Sequence, residues 1–332
     1  MAFKLLLQRS NTKPFVPYPF EGQRIDCPVC GGKGHNIMNL DREWKPLSTD
    51  LCESCGLFFT NPMPTDDELK DYYRATYRAA YMGVVDTVPA QHVAKKKKDA
   101  ARRAAIVRSL FRDPTGRRTL DFGCGLGELV LAIETLGFDA YGFEPGEVWS
   151  QHARSAKIKQ GDWQSANYGV KSFDFISIIH VLEHLRAPLD CLAKIEQLLK
   201  DDGLLWIEVP DMQAYESKNY TRFHFAHVLG FSRDNLLAAA WTAGFYPVRT
   251  VTKEEIGKMR SQVSFVFRKR KADDVLDLNL AAVASRNRKD YGRKSLVASV
   301  IGAASGFMQH FRSATPRSRS SKPPRITDSS VP

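Results

Sequence analysis

Three groups of residues in this sequence could do chemistry. The first is a pair of Cys-x2-Cys knuckles, Cys27-Pro-Val-Cys30 and Cys52-Glu-Ser-Cys55, separated by 21 residues. Each knuckle bends so that two sulfurs converge, and two knuckles complete the tetrahedral four-thiolate set of a structural zinc site. Gly31-Gly32 and Gly56 follow the pairs and supply the tight turns. A thioredoxin-type redox pair is the rival for a single such motif, but two pairs without a surrounding strand–helix–strand pattern favour the metal. Four sulfur ligands leave no open coordination position, so a zinc here is expected to hold the fold and not to react.

The second group is the glycine turn Leu120-Asp-Phe-Gly-Cys-Gly-Leu-Gly-Glu128. Glycines at 123, 125 and 127 keep the loop bare, so a ligand can approach the backbone. A nicotinamide-binding turn has similar glycines; here the spacing is G-x-G-x-G, and Asp121 precedes the first glycine by two residues. Glu144 follows 23 residues after Asp121, where a carboxylate suits the two hydroxyls of a ribose. The third group is histidine-rich: His180-Val-Leu-Glu183-His184, and Phe223-His-Phe-Ala-His227. The first of these looks like an inverted zinc-protease motif, which needs a helix presenting both histidines to one metal. In this chain the segment follows a buried strand, and no metal is expected there. Core or surface packing is the alternative role for each histidine.

Short apolar strands alternating with amphipathic helices must position these groups. Strands are expected over 119–122, 140–144, 173–179, 204–209, 245–251 and 262–268, and helices over 128–136, 148–156, 189–199 and 232–243. Phe173-Asp-Phe-Ile-Ser-Ile-Ile179 is nearly continuous in apolar residues, as a strand buried on both faces requires. The alternation predicts an α/β fold with a parallel, doubly wound, Rossmann-like sheet. Upstream, Thr65-Asp-Asp-Glu68 reads as a capping box opening a helix, and a second helix is expected over 93–111. Tyr77 and Tyr81 are minor pocket candidates.

The chain has 332 residues, 43% hydrophobic and 26% charged, which excludes a mainly disordered, collagenous or coiled-coil protein. No window approaches 18 consecutive apolar residues, and the leucine patch near the start is too short for a secretory core, so a cytoplasmic protein is expected. The net charge of +11 is concentrated in two places. Residues 92–118 hold ten Lys or Arg against two Asp, and residues 271–332 hold eleven against five. Such patches suit a polyanion or an acidic membrane face, or are simply a solvated helix and a loose tail. Residues 295–311 are apolar between basic flanks, a candidate for peripheral contact at the inner membrane face. The sequence carries no signature of an oligomeric state.

The string of motifs carries a resemblance. Asp121-x-Gly-Cys-Gly-x-Gly127, Gly142-Phe-Glu-Pro145, Gly161-Asp162, His180-Val-Leu-Glu-His184 and the ending Leu198-Leu-Lys-Asp-Asp-Gly-Leu-Leu-Trp-Ile-Glu-Val-Pro210 resemble a class I S-adenosylmethionine-dependent methyltransferase over about residues 118–269. The knuckles and the following Gly56-Leu-Phe-Phe-Thr-Asn-Pro-Met-Pro64 resemble the zinc-ribbon extensions of bacterial sugar and natural-product methyltransferases. The resemblance implies a seven-stranded methyltransferase sheet. It implies a zinc-ribbon module over 1–61, a helical linker or lid over 62–117, the cofactor-binding domain over 118–270, and a basic, partly disordered tail over 271–332.

The resemblance also implies roles. Asp121 with Gly123, Cys124, Gly125 and Gly127 would hold the methionine part of the cofactor. Glu144 would take the ribose, and Asp162 with Trp163 the adenine. His180 would border the substrate mouth, and His227, with His224 three residues earlier, would be the candidate base. Sugar C-methyltransferases carry Glu-His where this chain has Ala226-His227, which leaves a small molecule or glycan as the implied acceptor, methylated at oxygen or carbon. An RNA methyltransferase using the basic patches is the alternative, although the Asn/Asp-Pro-Pro-Tyr/Phe motif of many base N-methylators is replaced here by His180-Val-Leu-Glu183. A non-catalytic scaffold of the same fold is the third reading.

Overall fold

The computed structural model describes residues 20–41, 45–72, 90–146, 155, 157–161, 163–214, 223–257 and 262–291. Asp162, Tyr77, Tyr81 and the 295–311 segment lie outside them. In chain order the elements are β1 (Gly34–Leu40), β2 (Pro46–Cys52), β3 (Phe58–Thr60), α1 (Asp66–Asp71), α2 (Ala90–Leu110), β4 (Arg118–Phe122), α3 (Glu128–Glu134), β5 (Asp139–Glu144) and β6 (Ile158–Gln160). There follow β7 (Phe173–Ile179), α4 (Pro188–Leu198), β8 (Leu199–Pro210), β9 (Leu229–Gly230), α5 (Arg233–Thr242), β10 (Phe245–Thr250) and β11 (Gln262–Lys269). A final helix, α6, covers residues 280–291.

Seven strands form the larger sheet in the order β10-β11-β8-β7-β4-β5-β6. The five strands from β8 to β6 are parallel to their neighbours, as the strand–helix alternation requires. The sheet is doubly wound and mostly parallel, as expected; β11 departs from the rest in being antiparallel to both β8 and β10. Only residues 251–261 separate β10 from β11, too few for a crossover helix, so the chain turns back directly.

Both faces of the sheet are covered. Trp206 and Val266 pack with Ala104 and Val107 of α2 and Val130 and Ile133 of α3. Their strand neighbours Leu205, Ile207, Phe265 and Phe267 point the other way, into a core with Leu192 and Ile195 of α4 and Leu236 of α5. Alternate side chains of one strand therefore enter two separate cores, which is why these strands read as continuous apolar runs. The capping box is formed as expected: Glu68 N donates to Thr65 Oγ1 at 3.3 Å, and Thr65 N donates to Glu68 Oε2 at 2.7 Å.

The smaller sheet, β1-β2-β3-β9, is antiparallel and contains the cysteine knuckles. Its fourth strand comes from far along the chain: Phe58 pairs with Gly230 and Phe59 with Leu229, and Thr60 N donates to the Val228 carbonyl at 2.8 Å. Cys52, Cys55, Leu57 and Phe59 share one apolar core with Val228, Phe231 and Leu236.

Side-chain amides reinforce the junction. Asn235 Nδ2 donates to the Cys55 carbonyl, and Asn287 Nδ2 donates to the Gly56 carbonyl at 2.8 Å. Asn287 lies on α6, inside a stretch that the sequence reads as irregular; the helix forms because Val283, Ala284 and Tyr291 are buried against the ribbon side of the molecule. No helix among the described residues is long and apolar enough to cross a membrane.

Asn235 is fully buried and ties a knuckle carbonyl to α5. Asn235→Ala should destabilise the protein by about 1–3 kcal/mol, because it leaves that carbonyl buried without a donor. Chemical denaturation monitored by tryptophan fluorescence checks this.

Candidate active site

The carboxyl ends of β4, β5 and β7 meet where the strand order reverses, the place at which open α/β sheets bind ligands. The turn after β4 has Gly123, Gly125 and Gly127 at φ +77°, +56° and +77°, all in the left-handed region. Their surroundings differ. A Cβ on Gly123 would stand 2.3 Å from a Val181 methyl, and one on Gly127 would stand 2.1 Å from Ile158 Cδ1. A Cβ on Gly125 would meet nothing within 4 Å among the described residues. Two glycines thus permit packing, and the middle one faces open space. Gly123 N and Cys124 N both donate to the Phe143 carbonyl, at 2.7 and 3.0 Å, which locks the turn to β5.

Three acidic or sulfur groups line this turn. Glu144, buried at the tip of β5, accepts from Gly125 N and Gly146 N, each at 2.8 Å. A carboxylate has capacity for further donors, so hydroxyl groups fit beside these amides. Cys124 is a neutral thiol, because burial and then the charges of Asp121 and Glu144 push it well above its ordinary value. Asp121 is buried and accepts from Ser177 Oγ at 2.7 Å. Burial raises its pKa to about 6, although Ser177, Arg103 and Lys96 pull the other way. A second group that brings a positive charge would complete it. Trp163 sits half-buried in a short 3-10 turn, Trp163–Ser165, packed on the core. The bare face at Gly125 and the paired carboxylates fit a cofactor with an ammonium group and a ribose.

On the other side of the β7 tip lies a buried cluster of charge. His180 adopts φ +56° directly after β7, with Nε2 3.1 Å from Glu208 Oε1 and Nδ1 3.4 Å from Glu183 Oε1. Arg103 of α2 donates to Glu208 Oε1 at 2.5 Å. Burial disfavours the ionised form of Glu208, but His180 and Arg103 outweigh it and hold the group at about 2. Burial also opposes the charged form of His180, and the two carboxylates raise it above its ordinary value. His184 is shifted down by burial, and its Nδ1 lies 2.6 Å from the Ala226 carbonyl.

His227 enters from the loop before β9, its ring 4.8 Å from that of His184 and 3.7 Å from that of His224. Of the three histidines expected at the site, His180 and His227 therefore converge on Glu183, and His224 stacks behind His227. Asp162 lies outside the described residues. Sequence reasoning missed Arg103, Ser177 and Glu208. Glu208 was open to detection: a carboxylate in a doubly buried strand needs a charged partner.

The four cysteine sulfurs all lie within 4.8 Å of one another. Cys27 and Cys55 stand 3.7 Å apart, and Cys30 and Cys52 3.5 Å. A tetrahedral zinc with bonds of about 2.3 Å spaces its sulfurs by about 3.8 Å, so this donor set fits the metal; a disulfide needs a separation of about 2.05 Å.

These features define a Rossmann-like α/β domain with its site at the switch point. Residues 93–250 match the family model described as a methyltransferase domain. Similar curated proteins include a ubiquinone biosynthesis O-methyltransferase of Nitrosococcus oceani, 34% identical over 97 residues in an alignment that covers 26% of this chain and 41% of that protein. A tRNA U34 carboxymethyltransferase of Idiomarina loihiensis is 30% identical over 108 residues, 29% of this chain and 33% of that protein. The chain thus spans well under two thirds of the length of the curated relatives it matches. Among solved structures, the 1,6-didemethyltoxoflavin-N1-methyltransferase of Burkholderia thailandensis, with bound 1,6-didemethyltoxoflavin and S-adenosylhomocysteine, has a TM-score of 0.50 at 17% identity. The alignment covers 68% of this chain and 96% of that one, a likeness of fold.

A raised Asp121 favours folding when protonated, and that advantage fades as pH rises through about 6. The gap from its unfolded value of 3.8 corresponds to about 3 kcal/mol. Asp121→Asn, which keeps a hydrogen-bonding oxygen for Ser177, should therefore melt higher than the parent at pH 7.5. The difference should shrink to near zero by pH 4 in thermal scans.

Proposed function

We propose that the chain is an S-adenosylmethionine-dependent methyltransferase acting on an oxygen or a carbon of a small molecule or glycan. The observation that carries the reading is the convergence at the carboxyl end of the sheet of Asp121, the open Gly125 and Glu144 beside a histidine cluster. Oxygen is favoured by the ubiquinone biosynthesis relatives. When bound, S-adenosylmethionine supplies a methyl group already activated by a sulfonium leaving group. Asp121 would take the ammonium of the methionine part, and Glu144 the ribose hydroxyls. Cys124 and the glycine turn would follow the methionine chain, and Asp162 with Trp163 would flank the adenine.

The protein's remaining tasks are to align the acceptor and to remove its proton. The acceptor oxygen would lose its proton to His227, with His180 and His224 beside it, and form the new bond to carbon with the freed pair. The old carbon–sulfur pair would stay on sulfur. Cys27, Cys30, Cys52 and Cys55 would hold a structural zinc that braces the ribbon against the His227 loop. Residues 295–311, apolar between basic flanks, support peripheral contact with an anionic membrane face.

The test is methyl-labelled cofactor incubated with the protein and a host extract fractionated into RNA, protein, lipid-linked glycan and small molecules. Label in glycan or small molecules is expected; label confined to RNA and lost as salt rises would move the assignment to the basic patches. His227→Ala should bind S-adenosylhomocysteine as the parent does, measured calorimetrically, yet turn over at least tenfold more slowly. Cys27→Ser should release the metal and lower the melting temperature of the whole protein, read by metal analysis and calorimetry, because ribbon and body share one core.

A further inference from the structure

Glu183 is 1% exposed, and neither of its oxygens makes a well-formed hydrogen bond among the described residues. A buried carboxylate in that condition needs a compensating cation. The atoms around it are nitrogens. His184 Nε2 lies 3.8 Å and His227 Nε2 4.0 Å from Glu183 Oε1, and the three ligand atoms all fall within 4.8 Å of one another. His180 meets that need only in part, because its charge is shared: its Nε2 faces Glu208 at 3.1 Å, and its Nδ1 lies 3.4 Å from Glu183.

The tautomer of His184 sharpens the point. Its Nδ1 is 2.6 Å from the Ala226 carbonyl, which can only accept, so Nδ1 carries the hydrogen. In the neutral ring Nε2 then presents a lone pair toward Glu183. A histidine that donates through one nitrogen to a backbone carbonyl while the other faces a carboxylate oxygen has the arrangement of a metal ligand with its outer support.

We propose that Glu183, His184 and His227 form a second metal site, separate from the cysteine ribbon, for a divalent first-row transition cation. Bonds of 2.0–2.2 Å set ligand separations of about 3.4 Å in a tetrahedral site, so each imidazole needs to draw in toward Glu183 by about half an ångström. Two imidazoles and one carboxylate are an open donor set, with room for an oxygen ligand from outside. His184 and His227 are both partly exposed, so that position opens to solvent. The inverted-protease geometry that the sequence argues against is not what forms: Glu183 and His184 sit on a 3-10 turn, Leu182–His184, and the third ligand comes from a loop 43 residues onward. The site itself stands on this geometry; its use, in which the cation would hold the acceptor oxygen and His227 would serve as its ligand instead of as a base, rests on the methyltransferase reading.

The experiment is calorimetric titration of zinc into the full chain after the ribbon has received one equivalent. A second equivalent should bind, and Glu183→Gln and His184→Ala should each weaken it at least tenfold while the first equivalent and S-adenosylhomocysteine binding persist. As a measurement that needs no substitution, Mn²⁺ added to the ribbon-loaded parent should broaden the ring signals of His184 and His227 before those of the other histidines. Saturation at one equivalent, unchanged second binding in both variants, or broadening elsewhere would overturn the site. Loss of S-adenosylhomocysteine binding in the parent, with the second metal retained, would overturn the methyltransferase reading and leave the site standing.

Discussion

Arg103, Glu208, His180 and Glu183 form a line of alternating charge that runs from the helix flanking the sheet, through the end of β8, to the tip of β7. Little water reaches its inner end: Glu208 is wholly buried and Arg103 nearly so. In such surroundings removing one partner typically costs about 3–5 kcal/mol, since the other is left charged and dry. The line therefore constrains everything it touches. It sets the position of α2 against the sheet, keeps His180 in a left-handed conformation that a non-glycine residue seldom adopts, and brings a carboxylate to the place where two loops meet. The basic run that gives the chain much of its charge has one member facing inward for this purpose.

Around that line the site divides in two. On the β4–β5 side, carboxylates and a bare glycine face prepare for a cationic, hydroxylated ligand. On the β7–β9 side, imidazoles surround Glu183. The two halves share the β7 tip, where Val181 packs on Gly123 while His180 reaches Glu208. Cofactor chemistry and acceptor chemistry would thus be adjoining but separately built, consistent with the same fold serving different acceptors.

Much of this was legible in the sequence, and the exceptions have a common cause. The buried strands, the glycine turn, the capping box at Thr65 and the cysteine set all announce themselves through local spacing. What escaped depends on contacts between distant residues. Strand β9 is two residues long, Leu229–Gly230, far below any periodic signal, and exists because β3 offers it an edge. Helix α6 has too modest an apolar face to stand out, and its place is set by Asn287 meeting a knuckle carbonyl. The reversal at β11 follows from a short connection, which a helix-by-helix reading overlooks. The acidic residue of His180-Val-Leu-Glu183-His184 was visible, but its partner His227 is adjacent only after folding.

The shared edge between β3 and β9 also bears on how proteins of this plan could diversify. A module held by its own termini can be exchanged between genes as one segment. Here the ribbon is sewn to the His227 loop by backbone pairing, to α5 by Asn235 and to α6 by Asn287, so its surroundings are written in three separated stretches of the chain. A ribbon transplanted alone would arrive without its fourth strand. Acceptor preference in such an architecture would be inherited by coordinated drift across all three stretches and would resist cut-and-paste recombination.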